Sequence, residues 1–168
     1  AETFGAHVVG TAFYPAIFGG VDLSANFIRA QQAEARKDAE SVATAFDEAT
    51  RHAGVSAETR RIEADTGDVP SRFAHIARRF DLSVIGQFER DRDHRTTNVV
   101  IEAALFESGR PVLIVPFIQK DRLKLDHVMV CWDGSRAATR AIADAMPFLT
   151  RSGKTSIVVA DTQSAKSA

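Results

Sequence analysis

The stretch His127-Val-Met-Val-Cys-Trp132, followed by Asp133-Gly134-Ser135 and then Arg136 to Leu149, decides how the chain reads. Its first part is a short apolar run bounded by polar residues, the pattern of a buried parallel strand. Asp-Gly signals a turn. Ser135 is placed to cap a helix by accepting a bond from a free backbone N–H. Ala138, Ala141, Ile142, Ala145 and Leu149 then recur at helical spacing. A strand that ends in Asp and opens a helix directs its C-terminal edge toward a ligand crevice. The helix start offers unpaired N–H groups to an anion.

Outward from this point, strands and helices alternate. Upstream, a strand over His7 to Phe13 leads to the loop Phe18-Gly-Gly-Val-Asp22. A long helix capped by Ser24 runs to about Ala53, with Ala35, Ala39, Val42, Phe46, Ala49 and Ala53 as its buried stripe, and Gly54 ends it. A charge-rich edge strand spans Ala57 to Ala64. Asp68 caps the next helix, Pro70 suits its first turn, and Val69, Phe73, Ile76 and Phe80 line one face. Leu82 to Gly86 is an inner strand, and Gln87 to Arg95 a charged loop. Thr97 or Asn98 caps a helix to about Ser108, with Gly109 behind it. Pro111 to Val115 is an apolar strand closed by Pro116, and a polar linker leads to His127. A last strand covers Ser156 to Asp161, followed by a polar tail from Gln163 to Ala168. Such alternation calls for an α/β fold, a parallel sheet with helices on both faces.

Composition narrows the function. With 168 residues the chain holds one domain and the edge of a second, and 45% hydrophobic against 26% charged residues marks it as globular. A net charge of −1 argues against non-specific nucleic-acid binding. No apolar run reaches the roughly 20 residues of a membrane span. The single Cys131 excludes an internal disulfide, fits a reducing compartment, and in mid-strand reads as a buried structural thiol. The five histidines show no metal-ligand spacing, and Asp91, Asp93 and His94 sit in a loop of alternating charge, so no dedicated metal site is expected. Ser152-Gly-Lys-Thr155 imitates the end of a phosphate-binding loop, but Phe148 stands where the upstream glycine belongs and a strand follows in place of a helix. Gly5-Ala-His7 and Gly153-Lys-Thr155 each put a glycine two residues ahead of a strand, an echo compatible with a tandem repeat. The start, with Phe4 and Gly5, reads as the end of a helix before a strand.

Three stretches resemble the universal stress protein family. Glu102 to Pro116 is similar to its last helix and final strand, Asp81 to Gly86 to its fourth strand, and Val128 to Ser135 to its first strand and adenine-side turn. The resemblance is closest to tandem bacterial members, in a displaced frame. Residues 1–117 resemble a domain lacking its first strand and helix, 118–126 a linker, and 127–168 the first strand, helix and second strand of a second repeat.

The resemblance implies a Rossmann-like sheet of five parallel strands, of the adenine nucleotide alpha hydrolase-like type, in a cytoplasmic stress-response protein. It implies ATP or another adenine nucleotide at Asp133, Gly134, Ser135 and Gly86, and a homodimer formed through the Pro111–Val115 edge or by strand exchange. ATP-binding members place further glycines after the fourth strand, where this chain has Glu89 and Val99. A carboxylate there repels the phosphate that glycine N–H groups would hold. The expected function is therefore binding and dimerisation with a degenerate nucleotide crevice; the alternative is an ATP-binding member with slow hydrolase activity. Enzyme activity stays open, and the lack of a converging acid, base and nucleophile weighs against it.

The resemblance leaves the middle of the sheet without its first strand, and unpaired backbone groups there are costly. Val128 to Trp132 is expected to fill that gap, within the chain or by exchange with a partner. A linker of about ten residues reaches roughly 33 Å, enough to return along a strand of about 17–20 Å. Asp133 would then face Gly86 across a hybrid crevice.

Overall fold

A computed structural model describes residues 7–15, 25–64, 67–87 and 95–159. The expectations for Phe4 and Gly5, the glycine loop at 18–22, the Ser24 cap, the charged loop over 88–94 and the tail fall outside these residues. The fold is α/β: the described residues form ten elements, with strands and helices largely alternating. The chain divides into two compact units, 1–73 and 74–168.

In the first unit, β1 (His7–Pro15) and β2 (Ser56–Ala64) pair in parallel, His7 opposite Ser56 through to Pro15 opposite Ala64. The helix α1 (Ala25–Ala53) connects them. It ends where Gly54 takes φ 64°, and Val55 N–H donates to the Thr50 carbonyl at 3.0 Å. A side chain would be strained in that left-handed conformation. The stripe that α1 buries is shifted from the expected one. Ala39 and Ala43 are buried and Phe46 half-buried, whereas Val42 is 64% exposed and Ala49 and Ala53 lie in solvent. With half-buried Ala35 ahead of them, the spacing four, four, three follows the 3.6-residue period, and the smallest residues face the strands because α1 approaches them closely. At Gly10 a Cβ would sit 2.8 Å from the Phe46 ring.

The helix α2 (Val69–Ala77) starts directly after Asp68, where it is expected, and it is the Asp68 backbone carbonyl that accepts, from Arg72 N–H at 3.0 Å and from the Ser71 hydroxyl at 3.0 Å. It stops three residues short of Phe80, which lies in the following turn.

In the second unit, β3 (Ser83–Gly86) and β4 (Val112–Val115) form a parallel pair joined through α3 (Arg95–Glu107). The helix begins at Arg95, so Thr97 and Asn98 lie inside it and not at its start. Gly109 closes it at φ 67°. Two arginines tie the helix ends together: Arg78 donates to the Glu107 carbonyl at 3.0 Å and Arg110 to the Arg78 carbonyl at 3.2 Å. Each supplies positive charge where a helix leaves carbonyls unpaired. Buried Ser108 donates to the Ala104 carbonyl and accepts from Arg110 N–H at 3.1 Å. Buried Ser83 has no hydroxyl partner among the described residues. Ser108→Ala should therefore cost about 1–2 kcal/mol by orphaning an N–H, while Ser83→Ala should be neutral or slightly stabilising. Urea midpoints of the two variants check the contrast.

The third pair is β5 (Val128–Trp132) and β6 (Thr155–Val159), parallel and joined through α4 (Arg136–Leu149). The five-stranded sheet expected from the resemblance is not observed. The described strands form three separate two-stranded parallel sheets. Nor does Val128–Trp132 fill a gap: its ladder partner is β6, not β1 or β3. The local chain explains this. Gly153 N–H donates to the Leu125 carbonyl at 2.9 Å and Val128 N–H to the Lys154 carbonyl at 2.8 Å, so the turn before β6 holds the entry to β5. A strand only some 30 residues away closes a shorter loop than β1 would.

Candidate functional site

The turn after β5 is built as its residues require. Gly134 adopts φ 76°, a conformation that disfavours side chains. The Asp133 carboxylate accepts from Ser135 N–H at 2.9 Å. Ser135, extended at φ −78° and ψ 161°, accepts at its hydroxyl from Ala138 N–H at 3.0 Å and so caps α4. Thr139 N–H donates to the Ser135 carbonyl at 3.1 Å, beginning the helical ladder. The expected N-cap, turn and helix over Arg136–Leu149 are all present.

These bonds favour the charged form of Asp133. Bonds from the Ser135 side chain and then from its backbone N–H hold the carboxyl below its ordinary value of 3.8. A depressed folded-state value means that the stabilisation is complete above the ordinary value and disappears as pH falls through the lowered one. Acidification below 3.8 should therefore loosen the start of α4, and Asp133→Asn should remove that part of the acid response. Amide exchange at Ala138 and Thr139, followed between pH 5 and pH 2, reads both (about the window in which a carboxylate titrates).

Asp133 and Gly134 are exposed, Trp132 and Ser135 half-buried. The expectation that the Trp132–Asp133 corner lies at the heart of a sheet is thus not met: the corner ends a two-stranded ladder. Gly86, the fourth candidate, is exposed at the end of β3, where Gln87 N–H donates to the Val115 carbonyl at 2.7 Å. The structure brings Asp133, Gly134 and Ser135 into one turn and leaves Gly86 on a different ladder, without the β3–β5 pairing that the hybrid crevice needed.

Cys131 is exposed, against the expected buried thiol. Exposure alternates along β5: Val128, Val130 and Trp132 are half-covered, and Met129 and Cys131 point to the open side. A central strand would cover both sides; a strand in a two-stranded ladder with a single connecting helix does not.

Ser152-Gly-Lys-Thr155 is a structural turn into β6. The Ser152 hydroxyl donates to the Leu149 carbonyl at 2.8 Å and lies 2.7 Å from the Thr155 hydroxyl. Sequence reasoning missed two histidine–serine pairs at ladder entrances, His7 Nδ1 with Ser56 Oγ at 2.9 Å and His127 Nε2 with Ser156 Oγ at 2.8 Å. Spacing within one strand cannot reveal them, since each depends on the neighbouring strand's register. His7 also lies 3.8 Å from Glu58, which Arg60 engages as well. The recurrence of the pair on β5–β6, without a carboxylate, marks it as a pin between parallel strands. No group of three or more metal-ligating side chains occurs among the described residues. No described helix is long and apolar enough to cross a membrane.

No family model, no curated protein and no solved structure matches this chain.

Proposed function

We propose that the chain is a universal stress protein-like binding and dimerisation module of the cytoplasm, with a degenerate adenine-nucleotide crevice at Asp133, Gly134 and Ser135. The observation that carries this reading is the capped strand–turn–helix at those residues. The Asp133 carboxylate is oriented by Ser135 N–H at 2.9 Å and exposed, free to accept from a ribose hydroxyl or an adenine amino group. The first N–H groups of α4 open beside it. Gly86, on a separate ladder, has open space around its missing side chain and would join this crevice only if β3 and β5 were brought together between copies of the chain.

The strand edges support dimerisation. β4 pairs only with β3 among the described residues, and Ile114 on it is 39% exposed. An apolar edge of this kind recruits another strand, and a two-fold pairing through Pro111–Val115 supplies one. Exchange of β5 between copies is the other route, and it would extend these ladders toward the larger parallel sheet implied by the resemblance, whereas the two-fold contact of β4 joins two ladders through an antiparallel pair.

Light scattering should give the mass of two chains, and Ile114→Lys should shift it toward one; a wild-type monomer at all concentrations rejects the dimer. Calorimetric titration of ATP, with and without magnesium, should show saturable binding without phosphate release. Stoichiometric phosphate release would replace the binding module with a hydrolase.

A further inference from the structure

We draw no further inference here: the strongest candidate, the uncovered apolar ladder of β5 and β6 with Met129, Ile157, Val158 and Val159 exposed, is a bare sheet surface, and nothing in the structure shows what covers it.

Discussion

Gly10→Val lowers the stability of the β1–α1–β2 unit by about 2 kcal/mol. The expectation rests on one close approach. A Cβ at position 10 would lie 2.8 Å, 2.9 Å and 3.1 Å from three atoms of the Phe46 ring, one of them Cγ at the root of the side chain. The ring cannot simply swing its far end away, so α1 must lift from the strand or Phe46 must leave its rotamer. Both alternatives loosen the small stripe of Ala39 and Ala43 that α1 buries. The second substitution Phe46→Leu relieves the clash and should recover part of the loss in the double variant, a coupling that distinguishes packing from a change in strand propensity. Urea unfolding followed by far-ultraviolet circular dichroism reads the four members of the cycle; a Gly10→Val midpoint equal to wild type would refute the close packing.

Pro147→Ala acts in the opposite direction, with a gain of about 1–3 kcal/mol in α4. Pro147 lies inside the helix, within its last turn. It brings no N–H, so the Ala143 carbonyl loses its partner four residues on. The turn is closed by other means: Thr150 donates to the Met146 carbonyl from its backbone at 3.0 Å and from its hydroxyl at 2.9 Å. Alanine restores the missing bond and keeps these caps. The greater freedom of the unfolded chain offsets about 0.4–1 kcal/mol of that gain. Native-state amide exchange over Arg140–Leu149 should slow in the variant. Unchanged exchange would mean that the last turn is held entirely by the Thr150 cap.

The two substitutions also mark what could be read in advance. Residues whose partners lie a few positions away were legible: the Ser135 cap, the Asp133-Gly134 turn, the glycines that end α1 and α3, and the bounds of α4. Strand positions were legible to within about two residues, because a short apolar run between polar residues has few other uses. The phase of α1 was not, since Val42 is more hydrophobic than Ala43 and only the closeness of β1 makes the smaller residue the buried one. The start of α3 was misplaced because Thr97 and Asn98 are good caps wherever a helix begins, and they do not say that this one begins at Arg95. Strand order failed for a deeper reason. An apolar strand such as Val128–Trp132 fits the middle of any parallel sheet, and its side chains do not name the neighbour. The linker bonds from Gly153 and Val128 do, and they appear only once the chain is folded. The exposure of Cys131 follows from the same outcome.

For the site, the local turn was legible and its surroundings were not. Asp133, Gly134 and Ser135 form one unit because they are consecutive, whereas Gly86 could join them only through a strand pairing that does not occur. A nucleotide that uses this turn must therefore bind chiefly through the β5–α4 corner. The most direct test is a titration of isotope-labelled protein with ATP, following every amide. Saturating shifts are expected to centre on Asp133, Gly134, Ser135 and the first turn of α4, and to be abolished in Asp133→Ala. Shifts confined to other residues, or none at millimolar ATP, would contradict binding there.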